Sequence, residues 1–553
     1  MTATEPDAAC GPLAATGIPE GVDPEVHRRR WTTLAVLCLS LIIIVMDNSI
    51  LNVAIPSLVK ELGATTSQLQ WIVDAYVLVF AGFLLTAGTI GDRFGRKGAL
   101  SFGLVMFACG SVAAALSSSA NQLIVMRGFM GFGAAFIMPA TLSILTNVFR
   151  DPKERAQAIA IWAAFAGVGG VIGPIAGGTL LAHFSWSSVF WINLPVIAIA
   201  LVVGRFFVPT SRDEHAPRID SVGAVLSIAA LITMLYAIIE APGRGWTAPL
   251  TLASFVVGSI LVAAFVAWEL RTEHPMLDIR FFKSRRFSGG NLAITLTFFA
   301  MFGSLFLLTQ FLQFVLGYSP LEVGIKMIPI AVTMFIVAPL SAKVVERIGT
   351  TVVVVTGLVL VAAGLFAMST MYVGMPYLAI VPRLVLLAAG MGLVMAPATE
   401  AVMGSLPPEK AGIGSAVNDT TREVGGALGV AVVGSLAASS YVNALGPLLA
   451  KVRLGGPEGE QAAKYITEGL GQALAVAQRA GDFGAVIKAD AVSAFTDSMT
   501  SGMRIGAVVT LAAAVLVALL LPSRAHDYEE PSDSIELDLD DRAENDESSR
   551  AGR

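Results

Sequence analysis

Long apolar runs, each near 20 residues, recur along almost the whole of this 553-residue chain. The hydrocarbon core of a bilayer is about 30 Å thick, and about 20 helical residues cross it. Lipid offers the backbone no hydrogen-bond partners, so only helices or closed barrels can span it, and continuous rather than alternating runs select helices. Composition agrees: 14% of residues are charged, against about 25% in ordinary soluble proteins. The mean hydropathy is +0.73. The net charge of −5 and the lack of a basic domain argue against nucleic acid as a partner. Of the three cysteines, Cys38 and Cys109 lie in apolar runs and Cys10 in the polar N-terminus. Neither a disulfide framework nor a metal site is expected.

The pattern predicts an all-α membrane protein of fourteen transmembrane helices. Their expected extents are 33–56, 70–91, 98–117, 122–148, 156–181, 188–208, 220–240, 249–270, 288–316, 321–344, 350–370, 376–404, 411–437 and 501–521. Residues 1–30 read as a disordered tail ending in Arg28-Arg29-Arg30, and the run after them is too long for a signal-peptide core. With the N-terminus inside, short inside loops and their flanks carry twenty Lys and Arg, against three (Lys60, Arg244, Lys326) outside. This is a strong positive-inside bias and places both termini in the cytoplasm. The long outer loop, 438–500, escapes that rule and mixes Ala, Leu and polar residues in a way that predicts some amphipathic helix. The acidic tail 523–553 reads as disordered.

Three matched segments reveal an internal duplication. Asp92-Arg93-Phe94-Gly95 pairs with Glu346-Arg347-Ile348-Gly349 at an offset of 254. Val168 to Gly173 pairs with Val424 to Gly429 at 256, and Pro139-Ala140-Thr141 with Pro397-Ala398-Thr399 at 258. Helices 1–6 (31–208) thus pair with helices 9–14 (287–521), and helices 7 and 8 (219–270) are an insert. Two pseudo-symmetric six-helix bundles facing a central cavity are a transporter plan.

The motifs then become specific. Loop 2–3 carries Gly88, Asp92, Arg93, Gly95, Arg96 and Lys97. Arg127 is followed by Gly131 and Gly133. Helix 5 carries Gly169, Gly173, Pro174, Gly177 and Gly178, and helix 1 ends in Met46-Asp47-Asn48-Ser49 through Pro56. Trp186 to Phe190, Asn193 and Pro195 lead into helix 6. These resemble the major facilitator superfamily, in its fourteen-helix drug:proton antiporter branch, over essentially everything but the tails. Two departures are Ser49, where threonine is common, and Thr350-Thr351, which replace the basic pair in the second copy of the loop motif. The resemblance implies efflux of amphipathic small molecules, cationic ones included, from the cytoplasm against inward proton flow, by a monomer with no cofactor or metal. The alternative is a proton-coupled importer or exporter of one metabolite on the same fold.

Residue by residue, Asp47 stands mid-helix, roughly 13 Å from the outer end. An acid there is costly and marks function, here proton coupling; a static hydrogen bond or contact with a cationic substrate are the other readings. Arg127 and Asp74 enter at similar depth, so all three charges are expected to meet in the N-terminal bundle. Loop 2–3 reads as an inside-closing latch, with Asp92 pairing a helix end or an arginine of the other half. The glycines of helix 5, spaced by four, read with Pro174 as a tight hinge between halves. Gln310, Gln313 and Phe302, with Phe298 and Phe299, are candidates to line the cavity. Asp419, Arg422 and Glu423, together with Arg383 and Glu400, read as a structural or gating charge network. No catalytic motif, ATP loop or histidine–cysteine cluster suggests an enzyme.

Overall fold

The computed structural model describes residues 24–212, 220–273, 275, 277–406, 411–453 and 456–522, and every regular element among them is helical. The helices that cross the molecule are α1 Pro24–Leu62, α2 Thr66–Phe94, α3 Arg96–Ala115, α4 Ala120–Val148 and α5 Pro152–His183. Then come α6 Ser188–Phe207, the insert α7 Ser221–Arg244 and α8 Pro249–Glu269, α9 Arg285–Val315 and α10 Pro320–Ile348. The last four are α11 Thr350–Met368, α12 Tyr377–Met403, α13 Ala411–Ala444 and α14 Gly484–Leu520. Among the described residues thirteen are long and apolar enough to cross a membrane. The fourteenth is α5, with 32 residues.

The ends differ from the expectation. α1 begins at Pro24 rather than after residue 30, so Arg28, Arg29 and Arg30 are helical. A proline suits a first helical turn, and Arg30 is fixed by a two-pronged bond to Glu154 at 2.9 and 2.8 Å. Residues 1–23 and the tail 523–553 lie outside the described residues. α14 starts 17 residues before position 501, because Lys488, Asp490 and Asp497 hide an apolar stripe (Ile487, Ala491, Ala494, Phe495) that is buried at helical spacing. The stretch 438–500 holds three short helices, Gly446–Arg453, Gly456–Glu468 and Leu470–Arg479.

The duplication reappears as matched backbone approaches. A Cβ on Gly103 would sit 2.7 Å from the carbonyl oxygen of Gly133, and one on Gly357 would sit 2.8 Å from that of Gly390. These are the α3–α4 and α11–α12 crossings. Small residues let transmembrane backbones come this close. The loops that enter α3 and α11 turn on Gly95 and Gly349, both at positive φ (123° and 85°), where a side chain would be strained.

The two bundles meet at one end. Gln70 of α2 donates to the carbonyls of Val430 (3.1 Å) and Ala431 (3.2 Å) and to Ser435 Oγ (3.2 Å) on α13. Gln313, on the π-helical turn that ends α9, donates to the Val53 carbonyl at 3.0 Å. α7 runs beside α2, with Trp71 Nε1 donating to Glu240 at 3.3 Å, and in the turn just past α7 Trp246 Nε1 donates to Ser439 Oγ of α13 at 3.1 Å. The short helices cap this end: Thr66 Oγ1 donates to the Glu468 carbonyl at 2.9 Å and Gln472 donates to the Ala64 carbonyl.

Each neutral hydrogen bond of the cap contributes about 1 kcal/mol. Removing both, in Thr66→Val with Gln472→Ala, should therefore open the capped end. Thiol labelling of a cysteine placed at the buried Ala431, in a background without other cysteines, should speed up by as much as about 30-fold. An unchanged rate would mean the cap does not restrain the seam.

Candidate functional site

The centre of the N-terminal bundle is a buried ion pair. Asp47 of α1 and Arg127 of α4 are bonded directly, with side chains 1% and 0% exposed. Two charges removed from water are tolerated only when they are paired and their remaining hydrogen-bonding groups are satisfied. Arg127 Nε donates to the Ile72 carbonyl at 3.1 Å, and Arg127 Nη2 lies 3.4 Å from Asn48 Oδ1. Its guanidinium covers the Tyr76 ring, 4.3 Å from the centroid, a favourable cation–π arrangement. The other Asp47 oxygen accepts from Asn193 Nδ2 at 2.9 Å. Asn193 also donates to Ser111 Oγ at 3.1 Å, and that hydroxyl donates to the Phe190 carbonyl at 2.8 Å. Asn193 opens the second segment of α6, Asn193–Phe207, after a break at Ile192. Its role and that of Ser111 escape sequence reading. An asparagine near a helix start looks like a cap until α1 is placed against it.

Asp74 does not join this pair, contrary to the expectation. Ile72 and Tyr76 present α2 to Arg127, and a residue two positions from each points the opposite way, at 3.6 residues per turn. Asp74 instead follows Gln70 by one turn, on the face toward α13. It is completely buried, and neither carboxylate oxygen has a hydrogen-bond partner among the described residues.

Loop 2–3 also departs from its expected pairing. Among the described residues Asp92 is bonded to Arg96 at 2.6 Å, one turn further on, rather than to the opposite bundle. The backbone N–H of Arg96 donates to the Ser211 carbonyl at 3.0 Å, in the chain leaving α6, and Lys97 Nζ to the carbonyl of Arg205 at 2.9 Å, in the last turn of α6. Arg93 lies over Phe94, which is well exposed. Gly88 lets α2 rest on Pro139 of α4. The loop is anchored to its own half, so any latch to the other half belongs to a different state.

On α5 the expected hinge divides into two faces. A Cβ on Gly169, Gly173 or Gly177 would meet Val45 at 3.1 Å, Ser49 Oγ at 1.9 Å or Ile50 at 2.5 Å, all on α1 of the same bundle. The other half is met by Gly178, 2.5 Å from Leu321 Cα, and by Pro174, whose carbonyl oxygen lies 2.3 Å from a Cβ placed on Gly324. Residues four apart share one face, and α1 occupies it. Among the described residues of α5, Pro174 and Gly178 reach the other half.

Of the proposed lining residues, Gln310 is buried and donates to the Phe306 carbonyl of its own helix at 2.9 Å, while Gln313 bridges to Val53. Phe302 is half-buried and stacks on Phe298, with centroids 6.1 Å apart. In the C-terminal half, Arg383 stands where the repeat would place a second Arg127. It has no acid beside it among the described residues and donates to carbonyl oxygens, with Ala367 at 2.9 Å. Glu400 pairs with Arg286 at 3.0 Å, and Asp419 with Arg422 at 3.6 Å.

Residues 37–430 match the Major Facilitator Superfamily. The chain belongs to that superfamily. It is 37% identical over 413 residues to the multidrug efflux pump LfrA of Mycolicibacterium smegmatis, covering 75% of this chain and 82% of that one. It is 35% identical over 424 residues to the multidrug resistance protein Stp of Mycobacterium tuberculosis, covering 77% and 79%. It is also 35% identical over 414 residues to the tetracenomycin C resistance and export protein of Streptomyces glaucescens, covering 74% and 76%. A bacterial homologue of the human lysosomal transporter Spinster, solved inward-facing and unoccupied, superposes with a TM-score of 0.64 at 18% identity. That match covers 91% of this chain and 98% of the Spinster homologue and places the fold. The superfamily's two-bundle plan puts Asp47 and Arg127 in one bundle, away from the pseudo-equivalent Met301 and Arg383 of the other.

Proposed function

We infer that this protein is a proton-driven exporter of small amphipathic drugs or metabolites. It would work as a monomer in the bacterial cytoplasmic membrane, with both termini inside. The observation that carries the reading is the buried Asp47–Arg127 pair in a chain whose relatives are drug efflux and resistance proteins. The excess of Lys and Arg puts the capped end outside and loop 2–3 inside. The structure is then closed to the outside by Gln70, Gln313, Gly178 and the cap.

Coupling follows from the energetics of the pair. A carboxylate held by a guanidinium in a dry environment stays charged. If the arginine shifts, the carboxyl takes a proton rather than remain a lone buried charge. Asn193 and Ser111 hold Asp47 in place through that exchange. Substrate arriving from the inside and protons arriving from the outside thus compete for one arrangement of α1 and α4. Rocking of the halves would bring Asp92 and Arg93 toward the other bundle and close the inner side.

The test is ethidium added to inverted vesicles whose lumen has been acidified by respiration. Ethidium should collapse part of the pH gradient in vesicles that contain the protein and leave control vesicles unchanged. If ethidium, and then a broader panel of cationic and neutral drugs, moves no protons, the antiport reading is wrong and the fold stands.

A further inference from the structure

With the N-terminus inside, Lys326 is one of the three cations on short outer loops and their flanks, against the positive-inside bias. Its half-buried ammonium stands between two rings, 4.4 Å from the centroid of Tyr318 and 4.4 Å from that of Tyr377. Among the described residues no carboxylate forms an ion pair with it. Glu322, one turn back, accepts from the backbone N–H and the hydroxyl of Ser319 at 2.8 and 2.9 Å. Two tyrosine rings around one ammonium favour a cation over a neutral side chain of the same length.

The cage closes on a piece of chain with a hinge at each end. α10 starts with the short segment Pro320–Lys326 and continues only from Ile328. Gly317, at φ 74°, leads into the segment, a conformation in which a side chain would be strained. The break after it falls at Met327, just before Pro329, whose missing N–H leaves the helix ladder incomplete. The Ile330 N–H turns to the Met327 carbonyl at 3.0 Å. The Lys326 carbonyl accepts instead from the Tyr377 hydroxyl at 2.9 Å. Tyr377, which opens α12, therefore holds Lys326 by its charge and by its backbone. The same piece carries the seam. Leu321 meets Gly178 and Gly324 meets Pro174, both on α5 of the other half. Most of the contact between α10 and α5 is made by this piece, and less by the long segment that follows.

We propose that Lys326 is a positioning residue of the outer gate. Caged by Tyr318 and Tyr377 in the closed state, it holds Pro320–Lys326 against α5, and it leaves the cage when the halves part. An interaction kept equally in both states would shift no equilibrium. The hinges at Gly317 and Met327 let the piece swing away from Tyr377 while α9 and the rest of α10 keep their places. Lys326 lies two residues from Gly324, so a movement of the caged end carries the seam face with it. This rests on alternating access under the export reading and adds to it the element that sets closure on the α5–α10 side.

The test reads the far seam, where fraying of the piece itself has no effect. A cysteine at the buried Ala431, on the α2–α13 side, is labelled from outside with a membrane-impermeant thiol reagent in right-side-out vesicles, in a full chain without other cysteines. Lys326→Met, which keeps the length and removes the charge, should speed labelling by about tenfold, the worth of two cation–π contacts, with a near-native melting temperature. Lys326→Arg, which returns a cation to the rings, should label at the native rate. Tyr377→Leu should behave as Lys326→Met does. Tyr377→Phe, which keeps the ring and loses only the hydroxyl, should fall between. The proposal is overturned if Lys326→Met labels at the native rate, or if Lys326→Arg labels as fast as Lys326→Met. It is equally overturned if all four variants melt early and label fast alike, since that marks a structural tether. Failure of the antiport reading looks different: ethidium moves no protons in the native protein, while labelling still follows the charge at position 326.

Discussion

Asp47→Asn should abolish ethidium-evoked proton release in inverted vesicles while the protein still inserts, with a lowered melting temperature because the buried Arg127 charge loses its counter-ion. The substitution keeps the shape of the side chain and an oxygen to accept a hydrogen bond, so Arg127 still has the Ile72 carbonyl and Asn48. What it removes is the group that can exchange a proton. Substrate binding to the purified variant should persist, which separates loss of coupling from loss of the site. Arg127→Ala is a harsher change. It strands a buried carboxylate, which costs about 3–5 kcal/mol when a pair of this kind is broken, and should show first as poor yield. Arg127→Lys, which keeps the charge but not the forked geometry, is the better partner for Asp47→Asn. If Asp47→Asn released protons as the native protein does, Asp47 would leave the mechanism. The fully buried Asp74, unpartnered among the described residues, would then be the next carboxylate to replace.

Valine in place of Gly178 should stop transport with little loss of stability, whereas valine in place of Gly173 should cost stability first. The two glycines are five residues apart and meet different halves. At Gly173 the new Cβ would collide with Ser49 Oγ at 1.9 Å inside the N-terminal bundle, and overpacking of this kind costs about 1–3 kcal/mol, occasionally more. At Gly178 it would collide with the Leu321 backbone at 2.5 Å, across the seam between the bundles. Backbone cannot step aside as a flexible side chain can, but the two halves can stay apart. Gly178→Val should therefore hold the capped end open, with transport falling to background and a near-native melting temperature. Gly324→Val, which would meet the Pro174 carbonyl at 2.3 Å from the other side, should behave in the same way. If Gly178→Val melted early and Gly173→Val transported normally, the division of α5 into an inner-bundle face and a seam face would be wrong.

Much of this architecture is legible in the amino-acid sequence. Helix number, the insert and the duplication follow from hydropathy and a near-constant offset, because lipid dictates the length and composition of each span. What hydropathy misreads are the amphipathic elements outside the lipid. Pro24–Arg30 resembles a tail because it is polar and is held through the Arg30–Glu154 bond, and Gly484–Thr500 resembles a loop because burial there is one-sided and mean hydropathy is blind to a stripe. The candidate site divides in the same way. Asp47 and Arg127 stand out as charges in apolar helices, so their pairing is expected. Asp74 looks equivalent by depth alone, and depth says nothing about which way a helix is rotated.

The sequence by itself determined the class of molecule, its span count, its twofold repeat and the asymmetry that leaves one half with the buried acid. These are local or periodic properties, carried by composition, spacing and repetition. The tertiary structure decided which polar groups meet: Asn193 and Ser111 behind Asp47, Tyr76 over Arg127, Asp74 turned to α13, and Pro174 with Gly178 on the seam. It also decided which end is closed, through contacts between residues hundreds of positions apart. Rotation of one helix by 100° per residue changes every such contact, and only the packing of all the helices together sets that rotation.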